Sequence, residues 1–305
     1  MNSDIAVIVV NYGSHALLER NFAGDHGGLT AARVFVVDNF TSESELAALV
    51  RLADRHGWTV VPSPTNVGFG AGVNLGVAAA IEYGYEDLLL LNPDLAIDTG
   101  TVDALAQQVA QAPLTMVSPR IVTTTGKLWF DGGFLDLSSG RVRTAMSADM
   151  TAPFAWLSGA CLAISVELWT MAGGFDPAYF LYWEDVDFSQ RVTRAGGTLL
   201  VRNDLKVIHE VGGTQGPGKS AVYLRYNTAN RLIFASKWLP KGTANRWVLH
   251  TPRESYRVLT RGGRRTLTRW DLVRAAVTGS ARGIKAVRRA HVGASAQPAL
   301  TEAGG

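Results

Sequence analysis

A chain of 305 residues, 47% of them hydrophobic, can bury a sizeable core as one large domain or as one domain with an appendage. Its longest nearly uninterrupted apolar runs, Ile5 to Val10 and Leu88 to Leu91, fall far short of the ~20 residues a spanning helix needs, so no segment is expected to cross a bilayer. The formal charge of +3 conceals an asymmetry: residues 1 to 240 hold 16 Lys+Arg and 23 Asp+Glu (−7), and residues 241 to 305 hold 13 and 3 (+10), which predicts different partners for the two segments.

In chain order, Met-Asn-Ser-Asp lacks the basic flank, apolar stretch and cleavage site of a secretory signal, and the expectation is a cytoplasmic chain. Ile5 to Val10 is β-branched and apolar on both faces, the pattern of a central strand covered by helices on each side. Arg33 to Val37, Val60 to Val61 and Leu88 to Leu91 repeat it, separated by helical stretches at Ser44 to His56, Gly72 to Tyr83 and Thr101 to Gln111. The alternation predicts an α/β fold with a predominantly parallel, doubly wound sheet. From Thr115 to Ala155 no period is clear, and glycine-rich turns there suggest a mobile loop over the site. Ala160 to Ile164 reads as a strand, Val166 to Met171 and Val186 to Ala195 as helices, and Thr198 to Val201 and Lys206 to Ile208 as two further strands. Cys161, the one cysteine, excludes an internal disulfide or a cysteine-built zinc site and reads as a buried small hydrophobe. The small-residue end from Gly293 onward reads as frayed.

Ligands of such sheets bind beyond the carboxyl ends of the strands. The four predicted strands run out into Asn11-Tyr12-Gly13, Asp38-Asn39, Asn66 to Asn74 and Asn92-Pro93-Asp94, so polar and glycine-rich groups gather at one sheet edge. Asp38 can accept hydrogen bonds from a nucleobase imide or a ribose hydroxyl; alternatively it forms a turn with Asn39. The four glycines of Asn66 to Gly76 can admit a diphosphate close to backbone at a helix N-terminus, or simply make a flexible turn. Asp94 can hold a hard cation together with substrate phosphates, or close an Asx turn. Glu184-Asp185-Val186-Asp187 comes after the aromatic run Tyr179 to Trp183; a carboxylate there can act as a general base with a raised pKa, or Asp185 can cap the helix. His209, after a strand, can complete a metal site through a neutral ring nitrogen, although no other histidine stands at ligand spacing to it.

Taken together, these segments resemble family-2 glycosyltransferases, in particular the rhamnosyltransferase-like branch of bacterial cell-wall and surface-polysaccharide assembly. The matching text is Val-Ile-Val-Val-Asn-Tyr (7 to 12), Val-Val-Asp-Asn (36 to 39), Asn-Val-Gly-Phe-Gly-Ala-Gly-Val-Asn (66 to 74), Leu-Asn-Pro-Asp (91 to 94), Trp-Leu-Ser-Gly-Ala-Cys-Leu (156 to 162), Gly-Gly-Phe-Asp (173 to 176), Tyr-Trp-Glu-Asp-Val-Asp-Phe (182 to 188) and His-Glu-Val-Gly-Gly-Thr (209 to 214), in the family's order over roughly residues 5 to 240. The resemblance implies a Rossmann-like glycosyltransferase A fold and an inverting displacement at the anomeric carbon. It implies a catalytic domain over 1 to 240 and a basic helical extension over 241 to 305. It assigns Asp185 as base and Glu184 and Trp183 as orienting or acceptor-side residues. Asn11, Asp38, Asn66, Gly68, Asn92 and Asp94 become the nucleotide-sugar pocket, and Asp94 with His209 the Mg²⁺ or Mn²⁺ ligands. Two departures stand out: Asn92 replaces the first aspartate of the usual metal motif, and Ala229 stands where the Tyr226 to Arg231 segment should carry arginine, leaving Arg231 as the candidate substitute.

The implied activity is transfer of a sugar, L-rhamnose from dTDP-rhamnose being favoured, to a glycan or polyprenyl-linked glycan acceptor, with a UDP-sugar donor as the alternative. A nucleotidyltransferase would want a cationic glycine-rich loop after the first strand, which Asn11-Tyr12-Gly13-Ser14 does not supply; a non-catalytic nucleotide-sugar- or carbohydrate-binding protein of the same fold is the rival from another class. The mixture of arginines with Trp247, Leu249, Tyr256 and Trp270 suits a peripheral position on an anionic membrane at the inner face of the cell membrane, against a plain solvated helical extension. No nucleic-acid motif accompanies the charge, and no nucleic-acid partner is expected.

Overall fold

The computed structural model describes residues 5–23, 29, 34–144, 155–210, 220–260 and 263–295. Strand β1 (Ile5–Asn11) is buried at every position, as a run apolar on both faces requires. It pairs in parallel with β2 (Val34–Asp38) and β4 (Asp87–Leu91), and β3 (Thr59–Pro62) extends the parallel set beyond β2. Helices α1 (His15–Phe22), α2 (Glu43–His56) and α3 (Phe69–Glu82) make the crossovers. The short α1 leaves no periodic mark in the sequence, because its eight residues hold only Leu18, Asn21 and Phe22 buried.

Glycines bring α3 unusually close to the sheet. A Cβ on Gly76 would lie 2.5 Å from Ile8 Cγ2, and one on Gly72 would lie 3.1 Å from Val10 Cγ1. Helix and strands therefore touch backbone to side chain, and the glycines are explained by packing rather than by flexibility.

The second half of the sheet changes direction. Strand β5 (Leu95–Ala96) and helix α4 (Thr99–Gln111) lead into β6 (Thr115–Thr123), which runs parallel to β11 (Thr198–His209), while β10 (Cys161–Ser165) lies antiparallel between β4 and β6. The order is β3-β2-β1-β4-β10-β6-β11-β5, with β7 (Leu128–Phe130) added beside β6. This is the Rossmann-like, mostly parallel sheet expected, with β10 reversed inside it and β5 and β7 antiparallel to their neighbours. The region that shows no period in the sequence is in fact ordered into β6, β7 and a ribbon of β8 (Gly133–Asp136) with β9 (Arg141–Thr144); Pro119 and the brevity of β7 to β9 hide the alternation. The remainder of that stretch, 145–154, lies outside the described residues. The two strands expected at 198 to 201 and 206 to 208 are one strand, β11, interrupted by a register shift between Arg202 and Lys206. Helices α5 (Val166–Ala172) and α6 (Glu184–Arg194) complete this part, and Cys161 is fully buried, with burial pushing its thiol well up.

The chain forms two compact units, Met1–Leu135 with Val142–Gln215, and Asp136–Arg141 with Gly216–Gly305. The second contains α7 (Ala221–Trp238), α8 (Lys241–Leu259), a 3-10 turn (Arg264–Thr268) and α9 (Trp270–Ser295). Leu224, Val258, Leu259, Leu272, Ala275 and Ala276 form its apolar cluster. Gly279 and Gly283 let α9 press on α7, since Cβ atoms there would sit 2.3 Å from the Arg225 carbonyl oxygen and 2.7 Å from Leu232 Cβ. Arg231 is buried; Nη2 donates to Ser139 O (2.7 Å), Nε donates to Gly140 O (3.1 Å), and the guanidinium lies 5.0 Å from the Trp247 ring centroid. Burial pulls its pKa down to about 10. The guanidinium is thus a structural clamp inside the helical unit. Among the described residues no helix is long and apolar enough to cross a membrane.

Candidate active site

The parallel register fixes the first wall. Asn11 pairs with Asp38, so the carboxyl ends of β1 and β2 are level. Asp38 is 1% exposed, and neither carboxylate oxygen has a hydrogen-bond partner. Burial raises its pKa; the nearby Asn11 amide, which makes its formed hydrogen bond to Glu45, offsets this in part, and the charges of Glu45 and Glu43 raise it further. A buried carboxylate lacking donors is costly, which makes Asp38 a strong acceptor for an incoming N–H or O–H.

Asn11 and Asn66 are placed differently from free pocket groups. Asn11 is fully buried; its Oδ1 accepts from Ser14 N (3.0 Å) and Oγ (2.9 Å), and its Nδ2 donates to Glu45 Oε1 (3.1 Å). Glu45 also accepts from His15 N (2.9 Å) and pairs with His15 Nδ1 at 2.7 Å. Burial opposes ionisation of Glu45, but Asn11 and His15 outweigh it and its pKa falls below the usual range. Asn39, which in the sequence is merely the neighbour of Asp38, ties the next loop: Oδ1 accepts from Val67 N (2.8 Å), and Nδ2 donates to Asn66 Oδ1 (3.1 Å) and Gly68 O (3.2 Å). Its backbone N donates to Asn11 O at 2.9 Å, so one asparagine joins β1, β2 and the 66–68 loop. Replacing Glu45 by glutamine is expected to lower stability by about 1–2 kcal/mol, because an amide cannot accept on both atoms; a denaturant midpoint measures it.

Gly68 sits at φ +88°, and a Cβ there would fall 2.2 Å from Phe180 O, while Phe69 N donates to the same oxygen at 3.0 Å. The glycine therefore admits a neighbouring stretch of protein, the segment leading to α6. In that segment Tyr182 and Trp183 both hold positive φ, 68° and 73°, a costly pair for bulky residues. Trp183 is the N-cap residue of α6 and is only 4% exposed.

The left-handed pair delivers Glu184 and Asp185 at the start of α6. Asp185 lies inside the first turn, not at the cap position, and its oxygens accept from Val186 N (2.8 Å) and Gly159 N (3.2 Å). Gly159 precedes β10, so the reversed strand brings this support to the edge. Burial raises the Asp185 pKa to about 6, with the backbone donors opposing. Glu184 is buried, its Oε2 has no partner, and burial together with the neighbouring Asp185 charge pushes its pKa well up. Asp187 is structural: it accepts from Tyr179 Oη (3.1 Å) and from Arg191 Nε (2.9 Å).

The third wall lies beyond β4. Asn92 N donates to Ala160 O at 2.9 Å, and Asn92 Oδ1 is buried without a partner. Asp94 Oδ2 lies 3.0 Å from His209 Nε2, and Glu210 N donates to Asp94 O at 3.0 Å. β5 pairs His209 with Leu95, so the antiparallel bridge aligns the two side chains. The His209 ring stands edge-on to Trp129, centroids 4.5 Å apart. Asp94 Oδ1 and His209 Nδ1 are buried without partners. The Asp94 carboxylate suits Mg²⁺ or Mn²⁺, which take further oxygens from phosphates and water, and the His209 ring would add one nitrogen. Among the described residues no group of three or more His, Cys, Asp or Glu could hold a metal unaided, so the diphosphate would have to share the work. The Val-Gly-Gly-Thr part of the motif after Glu210 lies outside the described residues.

No protein-family model matches the chain. Its sequence is 26% identical over 255 residues to the low-salt glycan biosynthesis hexosyltransferase Agl10 of Haloferax volcanii, covering 79% of this chain and 78% of that protein. It is 24% identical over 267 residues to the N-acetylglucosaminyl-diphospho-decaprenol L-rhamnosyltransferase of Mycobacterium tuberculosis, covering 78% and 86%. In structure it is similar to the mannosyltransferase PcManGT of Pyrobaculum calidifontis in complex with GDP-Man and Mn²⁺, with TM-score 0.54, 13% identity and coverage of 93% and 88%. It is similar also to GalNAc-T7 with UDP, GalNAc and Mn²⁺, with TM-score 0.54 and 17% identity, covering 83% of this chain but about half (55%) of that one. These likenesses bear out the glycosyltransferase A fold, and the sequence relatives agree with the rhamnosyltransferase-like resemblance of the motifs.

Proposed function

We propose that this chain, a glycosyltransferase A-fold protein with hexosyl- and rhamnosyltransferase relatives, is an inverting glycosyltransferase. It passes a sugar, L-rhamnose from dTDP-rhamnose being the favoured donor, to a glycan or polyprenyl-linked glycan in cell-wall or polysaccharide synthesis. Such an acceptor is membrane-borne, so the reading includes a peripheral position at a membrane.

The observation that carries the reading is a contact path that joins Asp38, the 66–68 loop, Asp185, Asn92 and the Asp94–His209 pair. Asn39 links Asp38 to the 66–68 loop, that loop rests on Phe180, and the Phe180 segment delivers Asp185. Asp185 is held by Gly159, whose neighbour Ala160 binds Asn92, two residues before the Asp94–His209 pair. The path supports reading these residues, far apart in sequence, as the lining of one site beyond the strand ends.

In this reading Asp38 accepts the base or ribose donors, with Asn11, Asn39 and Asn66 holding its surroundings. Asp94 and His209 would hold the Mg²⁺ or Mn²⁺, which, when bound, neutralises charge on the departing nucleoside diphosphate. Asp185 takes the proton from the acceptor hydroxyl as that oxygen attacks the anomeric carbon from the face opposite the leaving group. Glu184, whose pKa burial and the Asp185 charge push well up, stands next to it at the start of α6 as the orienting group.

The test is release of nucleoside diphosphate by purified protein against dTDP- and UDP-sugars, with Mg²⁺, Mn²⁺ or chelator, with and without a lipid-linked acceptor. The expected outcome is donor-selective, metal-dependent transfer with inversion, and a drop of about 10²-fold or more in kcat/KM for Asp94→Ala. Donor binding without turnover under every condition would overturn the catalytic reading in favour of a binding protein.

A further inference from the structure

The helical unit holds 18 Lys+Arg against 4 Asp+Glu, a formal +14, whereas the other unit holds 11 against 22, a formal −11. Its described acids are engaged locally. Glu254 pairs with Arg141 and Arg257, Asp271 pairs with Arg269, and Asp136 accepts from Ser138 and Ser139. Among the described residues, Arg246, Arg253, Arg274, Arg282, Lys285, Arg288 and Arg289 are exposed on α8 and α9.

On α9 the residues Trp270, Arg274, Val277, Ala281, Lys285 and Arg288 succeed one another at intervals of four or three, which places them on one line along ~27 Å of helix. All six are exposed, Trp270 at 83% and Val277 at 62%. The opposite face, with Leu272, Ala275, Ala276, Gly279, Gly283 and Val287, is buried, so this line is not a core stripe awaiting a helix of the same unit. α8 repeats the arrangement with Arg246, Leu249, Arg253 and Tyr256, all exposed, Leu249 at 77%.

Solvated cations alone would need no tryptophan or leucine among them. Conversely, the core of an apolar protein-docking stripe is depleted of charge, whereas this line carries Arg274, Lys285 and Arg288. Long cationic side chains alternating with an indole, a phenol and aliphatic groups match the boundary of an anionic bilayer, where cations meet headgroup phosphates and apolar groups enter the acyl edge.

We propose that the outward lines of α8 and α9 are a docking surface for an anionic phospholipid bilayer. The helices lie on the bilayer rather than span it. The proposal extends the reading that the acceptor is lipid-linked, and its test uses neither donor nor acceptor, so its failure leaves the transferase reading to stand or fall by turnover.

The test is co-sedimentation of the full chain with vesicles of phosphatidylcholine alone and of phosphatidylcholine with about 30 mol% phosphatidylglycerol, at two salt concentrations. Binding is expected only with phosphatidylglycerol, weakening as salt rises. Each cation contributes roughly five-fold, so Arg274→Gln/Lys285→Gln/Arg288→Gln should bind about 100-fold more weakly. Trp270→Ser with Leu249→Ser should weaken binding at least several-fold while leaving the salt dependence unchanged. These exposed positions are expected to leave melting and donor turnover as in the parent. No binding to phosphatidylglycerol vesicles, or a triple variant that binds like the parent, overturns the proposal. So does a Trp270→Ser/Leu249→Ser variant with undiminished binding, which would reduce the surface to plain charge adsorption, or tighter binding to duplex DNA than to the vesicles.

Discussion

Replacement of Asp185 by asparagine is expected to cut sugar transfer by about 10²–10⁴-fold while the nucleotide-sugar dissociation constant changes less than about three-fold. The amide cannot take a proton from the acceptor hydroxyl, yet it keeps the carboxylate's shape, and Asp38, Asp94 and His209 are untouched. Single-turnover transfer and calorimetric donor binding separate the two effects. The pH profile adds a second test. Burial raises the Asp185 pKa to about 6, so the base form is depleted below that value. In the parent kcat/KM should rise about ten-fold per pH unit on the acid side and level off above about 6; the Asn variant should lack this limb. Because Glu184 sits beside it, the limb reports the pair. The same shift bears on stability with the opposite sense. A carboxyl whose folded pKa is raised stabilises the fold fully below the ordinary aspartate range, and that contribution is lost as pH rises through about 6. At a pH of about 8 the parent carries the cost of the buried charge, and the Asn variant sheds it while losing the bond from Gly159. The two offset, and the melting temperature should stay within about 4 °C of the parent.

The second large effect is expected at Gly68. Alanine there must adopt φ +88° and place its Cβ 2.2 Å from a backbone carbonyl oxygen, a partner that cannot rotate away. Strain and overpacking each cost about 1–3 kcal/mol, so Gly68→Ala should lose about 3 kcal/mol or more, and with it donor affinity. Gly84 supplies the control. It has nearly the same φ, +86°, but nothing lies within 4 Å of its added Cβ, so Gly84→Ala should lose only about 1 kcal/mol. Equal losses at the two positions would show that the left-handed backbone, and not contact with the Phe180 segment, makes Gly68 necessary.

Much of the first unit is legible in the sequence because β1, β2 and β4 are doubly buried and their polar residues fall just past the strand ends. The features that stay hidden have physical causes. Short, half-exposed strands such as β9 leave no periodic mark, and the reversed direction of β10 depends on a partner strand about 70 residues earlier. Asn39 resembles half of a turn because its work is done through three bonds to residues 27 to 29 positions away. The glycines of α3 suggest phosphate contact, whereas their measurable neighbours are Ile8, Val10 and Phe175. Arg231 stands where it could replace a missing arginine; its neighbours turn it inward to Ser139 and Gly140. Glu45 offers only a cap-like signal, since its value lies in joining Asn11 to His15.

The left-handed pair Tyr182–Trp183 matters to anyone trying to improve this protein. A glycine at 182 would relax the backbone there while giving up the interactions of the tyrosine side chain. It would also untether the residues that aim Glu184 and Asp185, trading a fixed aim for a wandering one. A screen that ranks variants by heat resistance alone would therefore register the backbone relaxation and the lost side chain, and nothing of the aim of Glu184 and Asp185. If Asp185 is the base proposed above, backbone strain at this peptide link is tied to its aim, and a useful selection has to score turnover as well as robustness.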